Sequence, residues 1–169
     1  MIYEKLLRKE GKLAVIGLGY VGLPIALEFG RKLSVVGFDI NAKRVEMMRN
    51  GQDPSFELAP EAFQDTDVHF TSNIEDLRDV NFFVVAVPTP INHMNLPDLT
   101  PVLSASRTVG QVLKKGDYVV YESTVYPGCT EEDCVPILEE MTGLKMTTRS
   151  EEHTSELQSP CNLVCRLLL

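Results

Sequence analysis

Glycines at positions 17, 19 and 22 constrain this chain more than any other feature, because of what flanks them. Leu13-Ala14-Val15-Ile16 is a continuous apolar run, the pattern of a strand covered on both faces of a parallel sheet. After the glycines, residues 21–32 read as a helix with Leu23, Ala26, Leu27 and Phe29-Gly30 near its packing face. Pro24 falls in its first turn, where a missing N–H costs little. Strand, glycine turn and helix in that order predict the opening of a βαβ unit. In such a turn the first glycine permits the tight bend, the second lets backbone approach a pyrophosphate, and the third lets helix and strand pack closely. The helix N-terminus adds N–H groups and positive dipole for the phosphate.

The rest of the chain repeats the alternation. Residues 33–38 form a second apolar strand ending at Asp39; Asn41 caps a helix running to Asn50, and Gly51 stops it. A loop over 52–66, a third strand over 68–71 and a short helix over 73–78 follow. Residues 80–87, Val-Asn-Phe-Phe-Val-Val-Ala-Val, carry the strongest strand signal, ended by Pro88-Thr89-Pro90. A helix is predicted over 100–114, with Thr100 as cap and Pro101 in first position, then a fifth strand over 117–121. Thr130 starts a last helix, with Glu131, Glu132 and Asp133 where the dipole favours acids; Pro136 inside it predicts a kink or a later start. The pattern predicts an α/β, Rossmann-like, doubly wound parallel sheet of order 3-2-1-4-5, with ligand at the carboxyl ends of strands 1 and 4. A sixth strand is due after Leu144 and is not found, so the fold is expected to be truncated, lacking that strand and any following domain.

The 169 residues suffice for one domain with a real core. A net charge of -8 argues against a nucleic-acid partner or an anionic membrane surface. No stretch approaches the length of a membrane span, and residues 1–10 hold no signal-peptide apolar region, so a cytoplasmic location is expected. Cys129, Cys134, Cys161 and Cys165 match no zinc spacing; no metal is expected, and the first two read as small buried or helix-surface thiols.

Residues 149–159, Arg-Ser-Glu-Glu-His-Thr-Ser-Glu-Leu-Gln-Ser, match codon for codon the translation of a common sequencing adapter. Residues 1–146 are therefore taken as the authentic domain, and 147–169 are expected to be an artefactual, disordered tail. Cys161 and Cys165 then carry no inference.

Asp39 lies where a dinucleotide site places the carboxylate that binds the adenosine ribose, about 20 residues beyond the glycine turn. It accepts bonds from the 2′-hydroxyl and repels a 2′-phosphate, which points to NAD rather than NADP. A glycine turn and capping aspartate without any cofactor is the bland alternative. Arg44 either stacks over the adenine edge or faces solvent.

Gly17-Leu18-Gly19-Tyr20-Val21-Gly22, Gly37-Phe38-Asp39-Ile40-Asn41 with Arg44, Val87-Pro88-Thr89-Pro90, and Glu122-Ser123-Thr124-Val125-Tyr126-Pro127-Gly128 together resemble the UDP-glucose/GDP-mannose dehydrogenase family. The resemblance covers nearly all of 1–146, that family's N-terminal NAD-binding domain. Pro88-Thr89-Pro90-Ile91-Asn92, Pro97-Asp98-Leu99-Thr100-Pro101 and the string 121–128 are similar to the branch acting on UDP-N-acetylhexosamines in capsule and O-antigen synthesis.

The resemblance implies oxidation of a UDP-sugar C6 hydroxymethyl to a carboxylate by two NAD+, through a cysteine thiohemiacetal and thioester. The sugar would be N-acetylglucosamine, N-acetylgalactosamine or glucose, and the longer enzyme a homodimer. On this chain the turn from Gly17 through Leu18, Gly19, Tyr20 and Val21 to Gly22, with Asp39 and Arg44, would bind the adenosine half. Pro88, Thr89 and Pro90 would pass close to the cofactor, with Ser123 and Thr124 beside the nicotinamide. Thr124 would hold the catalytic water, or merely cap a loop. Glu122 reads as an exposed or loop-paired carboxylate rather than a catalytic one, and Tyr20 and Tyr126 either line the site or fill core.

The departures are large. The family's nucleophilic cysteine, in a Gly-Phe-Gly-Gly-x-Cys context, is absent, and Cys129 after Pro127-Gly128 is no match. The family's oxyanion lysine and asparagine, dimerisation helix and nucleotide-sugar domain are also missing, so the chain is expected to bind NAD without oxidising sugar alone. Two alternatives stay open. One is another NAD-dependent dehydrogenase, of the 6-phosphogluconate or hydroxyacyl-CoA type, against which the string 123–128 argues. The other is a non-catalytic nucleotide-sensing module, which would suit the missing nucleophile.

Overall fold

The computed structural model describes residues 2–91, 97–123, 125–145, 147–148 and 163–166. A short helix α1 (Ile2–Leu7) precedes strand β1 (Lys12–Ile16), helix α2 (Gly22–Gly30), strand β2 (Val35–Phe38) and helix α3 (Ala42–Arg49). Strands β3 (Val68–Thr71) and β4 (Val80–Val85), helix α4 (Thr100–Gly110), strand β5 (Tyr118–Tyr121) and helix α5 (Val135–Thr142) complete the alternation. Strands β6 (Thr147–Thr148) and β7 (Leu163–Arg166) follow.

The first five strands pair in parallel in the expected order, β3-β2-β1-β4-β5. Strand β1 lies in the middle, with Leu13 beside Val35 on one side and Phe82 on the other. Its apolar run is continuous because both faces are covered. Ala14 and Ile16 enter one core with Phe83, Val85, Val109, Tyr121 and Leu138, whereas Leu13 and Val15 enter the other with Leu23, Leu27, Val45 and Met48. Helices α4 and α5 thus cover one face, and α1, α2 and α3 the other.

One polar pair is sealed inside the first core. The Tyr121 hydroxyl and Ser106 Oγ lie 2.7 Å apart, and Ser106 also donates to Val102 O. Both residues are buried. Tyr121→Phe removes the hydroxyl that meets both Ser106 and the Cys134 thiol and is expected to cost about 1–2 kcal/mol, measured as a lowered denaturant midpoint with unchanged slope.

Several boundaries differ from the sequence expectation, each for a local reason. Helix α2 stops at Gly30, and Lys32 and Leu33 donate to Phe29 O in a closing turn, so β2 starts only at Val35. Helix α4 ends at Gly110 rather than Lys114. Thr100 is not its cap. The Thr100 N–H donates to Asp98 Oδ1 at 2.9 Å, so the Asp98 side chain meets the first free donor. The last helix begins late, as Pro136 foretold: Thr130–Cys134 form a π turn, and regular α geometry starts at Val135, with the proline in a first turn that needs no N–H from it. Gly143 closes α5 in the left-handed conformation, φ 68°.

Among the described residues parallel pairing runs from β3 to β5, and the β5 edge is not bare. Strand β7 pairs with it antiparallel, Tyr118 opposite Arg166 and Tyr121 opposite Leu163, and β6 pairs with β7. A sheet edge presents free N–H and C=O groups that template any extended segment within reach. Of the stretch 147–169 expected to be disordered, residues 149–162 and 167–169 lie outside the described residues.

Candidate functional site

The three glycines of the turn serve three different physical needs. Gly17 sits at φ +90°, where a side chain is strained, and a Cβ there would lie 2.7 Å from Val87 Cγ1 and 3.1 Å from Ala86 O. A Cβ on Gly22 would stand 1.8 Å from Gly17 O, so α2 packs on the turn at a distance only glycine allows. Gly19 is the opposite case: a Cβ there would meet nothing within 4 Å. Its missing side chain leaves open space along the crevice, where a pyrophosphate can approach the backbone.

That crevice runs to both sides of the turn. On the β2 side a cavity of about 630 Å³ is lined by Gly17, Leu18, Gly19, Asp39, Ile40 and Arg44, among others. On the β4 and β5 side a second, of about 460 Å³, is lined by Tyr20, Val87, Pro88, Thr89, Pro90, Glu122 and Ser123, among others. Gly19, Tyr20, Val87 and Pro88 border both. Each half lies in the size range of a small-molecule site, and together they cross the switch point where a doubly wound sheet binds its ligand.

Asp39 and Arg44 clamp the turn between them. Asp39 Oδ2 accepts from Leu18 N at 3.1 Å and Oδ1 from Asn41 N at 2.9 Å. Arg44 Nη2 donates to Leu18 O at 3.0 Å, and its Nε lies 4.0 Å from Asp39 Oδ2. Arg44 is positioned by α3, whose N-cap Asn41 accepts from Lys43 N and Arg44 N. It is therefore tied to the turn's backbone rather than free in solvent, and one hydrogen bond from Nη2 leaves the guanidinium face open to an adenine edge. Each Asp39 oxygen keeps a lone pair free, so the carboxylate can still accept from a ribose hydroxyl. Leu18 is fully buried, and its backbone N–H and carbonyl are the groups that meet Asp39 and Arg44.

The loop after α3 adds a wall absent from the sequence reading. Buried Asp53 accepts from Ser55 N, Glu57 N and Leu58 N at 2.8–3.0 Å, and Ser55 and Glu57 border the β2-side cavity. Burial pushes the Asp53 carboxyl up, but those three bonds and the charge of Arg44 outweigh it and hold the group below its ordinary value. Asp53-Pro54-Ser55 is an aspartate-led turn signature, the signal that marks this loop in hindsight.

On the β4 and β5 side, Ser123 is buried and its Oγ donates to Val87 O at 2.7 Å, tying the two strand ends together. Ser123→Ala leaves that carbonyl without its partner and is expected to lower stability by about 1–2 kcal/mol, read as a fall in melting temperature. Tyr20 is 69% exposed at the mouth of both halves. Tyr126 borders neither; its hydroxyl donates to Asp133, which pushes its pKa up to about 12. Glu122 is half-buried rather than exposed, no partner reaches its carboxylate among the described residues, and burial pushes its carboxyl above the ordinary value. Thr124 lies outside the described residues.

Cys129 and Cys134 are free and fully buried, as expected. Burial pushes the Cys129 thiol up to about 12 and the Cys134 thiol up as well, so both stay protonated and neither is a nucleophile. Among the described residues no group of three or more potential ligands could hold a metal, and no helix is long and apolar enough to cross a membrane.

Comparison with known proteins agrees with this geometry. The profile of the UDP-glucose/GDP-mannose dehydrogenase family, NAD binding domain, matches residues 11–159. The UDP-N-acetyl-D-glucosamine 6-dehydrogenase of Pseudomonas aeruginosa is 56% identical over 138 residues, 81% of this chain and 33% of that protein. The enzyme of the same name from Salmonella typhi is 57% identical over 136 residues, 80% of this chain and 32% of that protein. The solved UDP-D-ManNAc dehydrogenase of Pyrococcus horikoshii superposes with a TM-score of 0.72 at 35% identity, covering 79% of this chain and 33% of that one. The chain spans about a third of the length of the curated relatives it matches. With the glycine turn, the Asp39 clamp and the two-sided crevice in place, the chain belongs to the UDP-glucose/GDP-mannose dehydrogenase family, as its NAD-binding domain.

Proposed function

We propose that this chain is the NAD-binding portion of a cytoplasmic nucleotide-sugar 6-dehydrogenase that oxidises the C6 hydroxymethyl of a UDP-sugar to a carboxylate. UDP-N-acetylglucosamine is the first candidate, with UDP-N-acetylgalactosamine and UDP-glucose behind it, in supply of capsule or O-antigen precursors. The observation that carries the reading is the crevice itself, glycine-floored at Gly19 and ended on the β2 side by Asp39. The residues fit a dinucleotide: open backbone stands where the pyrophosphate must pass, and a carboxylate stands where the adenosine ribose must lie. The relatives at 56% and 57% identity bear the name UDP-N-acetyl-D-glucosamine 6-dehydrogenase, which supports the substrate class.

In this reading NAD, when bound, accepts hydride from the sugar carbon. The chain's own residues bind and orient it. The N-terminus of α2 and the backbone of Gly17 through Gly22 face the pyrophosphate. Asp39 accepts from the adenosine ribose while Arg44 keeps the turn in shape. Pro88, Thr89 and Pro90 flank the nicotinamide half, Ser123 fixes the ends of β4 and β5, and Thr124 positions water. This chain supplies the cofactor half of the site in this reading, no described residue is assigned as nucleophile or sugar contact, and residues 147–169 are read as translated adapter.

The test is direct. Calorimetric titration of the purified chain should show NAD+ binding, and mixing it with NAD+ and UDP-N-acetylglucosamine should yield no NADH absorbance. Failure to bind NAD+ would overturn the cofactor role, and NADH formation would overturn the reading that this chain does not oxidise sugar alone.

A further inference from the structure

Glu122 follows β5 directly and borders the β4-side half of the crevice with Tyr20, Val87, Pro88 and Ser123. Its backbone N–H donates to Val85 O at 2.8 Å, which anchors it to the end of β4. The carboxylate is half-buried, and among the described residues no hydrogen bond or ion pair reaches it. Burial alone acts on its carboxyl, with no positive charge to offset it. A charge removed from water without a partner is unfavourable, and such groups concentrate where a ligand supplies the partner.

The crevice has a direction. Asp39 fixes the adenosine ribose at the β2 end, and the pyrophosphate crosses Gly19, so the nicotinamide falls at the ends of β4 and β5. The oxidised ring is a cation, and the reduced ring is neutral. We propose that Glu122 is the counter-charge of the oxidised nicotinamide, so that this half of the crevice prefers NAD+ to NADH. The inference rests on the cofactor orientation proposed above.

The effect is confined to one redox state. A carboxylate a few ångströms from the cationic ring attracts it even through a partly hydrated medium, and does nothing comparable for the neutral ring. Half exposure screens the attraction, leaving about a tenfold preference. Adenosine and ribose contacts are common to both forms and cancel.

The experiment titrates the unaltered chain and Glu122→Gln with NAD+, NADH and ADP-ribose, which lacks the nicotinamide. The expected result is an NAD+ dissociation constant about tenfold weaker in E122Q, with NADH and ADP-ribose unchanged. Removing a desolvated, unpaired charge should not unfold the chain, and E122Q is expected to melt at or above the native temperature. Glu122→Asp, which keeps the charge, should retain most of the NAD+ preference and serves as the second variant. An unchanged NAD+ to NADH ratio in E122Q would overturn the proposal, as would parallel weakening of all three ligands, the mark of a purely structural role. Failure of the unaltered chain to bind ADP-ribose would strike the dinucleotide site itself, a different outcome from a failure at Glu122.

Discussion

Asp39→Ala is expected to weaken NAD+ binding by about a hundredfold. Two losses combine. The carboxylate accepts from Leu18 N and Asn41 N, so its removal frees the turn that must present backbone to the pyrophosphate. It also removes the acceptor for the adenosine ribose, and hydrogen bonds to a charged acceptor contribute about 1.5–3 kcal/mol each. A single such bond with some loosening of the turn reaches the roughly 2.7 kcal/mol that a hundredfold represents. NADP+ should suffer less. With Asp39 gone, its repulsion of a 2′-phosphate is gone, and Arg44, now held near Asp39, keeps its bond to Leu18 O but gains freedom to meet an anion. Calorimetric titration of both cofactors therefore should show the discrimination between them narrowing as well as NAD+ weakening. Asp39→Asn keeps the shape without the charge and should fall between. NAD+ affinity unchanged in Asp39→Ala would remove Asp39 from the ribose site.

Strands β1, β2 and β4 were legible because their apolar runs are covered on both faces, whereas β3, at the sheet edge with His69 exposed, follows from the alternation of strand and helix. Leu13 to Ile16 and the run around Phe83 to Val85 are apolar without interruption, and nothing but a covered parallel strand tolerates that in so short a segment. The glycines and Asp39 were legible for a related reason: the turn and the carboxylate at the end of the next strand stand at separations set by one βαβ unit. What was not legible depends on contacts between distant segments. The bond from Arg44 to Leu18 O was not legible because it joins residues 26 positions apart that only the folded chain brings together. Asp53 looked like an ordinary loop residue, since its three donors follow it closely in sequence but its burial does not show there. Glu122 read as exposed or loop-paired because the crevice it borders is built with segments far away in the chain, Tyr20 and the Val87 to Pro90 bend. The β5 edge shows the same limit from the other side, since a strand paired antiparallel from 163–166 leaves no periodic signal that assigns it to this sheet.

The largest contrast expected from single substitutions lies between two glycines three residues apart. Gly22→Ala should abolish the native fold, and Gly19→Ala should leave it intact while removing the ligand. At Gly22 the new Cβ would lie 1.8 Å from Gly17 O. That oxygen is backbone and cannot swing aside. Gly17 is itself held by its N–H to Phe38 O at 2.9 Å, and Val87 and Ala86 leave no room for a Cβ on its other side. Overpacking typically costs 1–3 kcal/mol when side chains can shift; with backbone on both sides of the clash the cost should exceed about 4 kcal/mol, most of the stability of an ordinary domain. Gly22→Ala is thus expected to be unfolded or to melt many degrees early by circular dichroism. At Gly19 the added methyl meets no protein atom within 4 Å, and φ lies outside the left-handed region. The folded state loses nothing, and the unfolded chain loses freedom, so stability should hold or rise by up to about 1 kcal/mol. The same methyl occupies the space through which the pyrophosphate reaches the backbone, and NAD+ affinity should fall at least tenfold. A Gly19→Ala chain that melts like the native one and binds NAD+ normally would show that the pyrophosphate does not cross at Gly19. One that melts as early as Gly22→Ala would show that the open space at Gly19 belongs to the fold instead of the ligand.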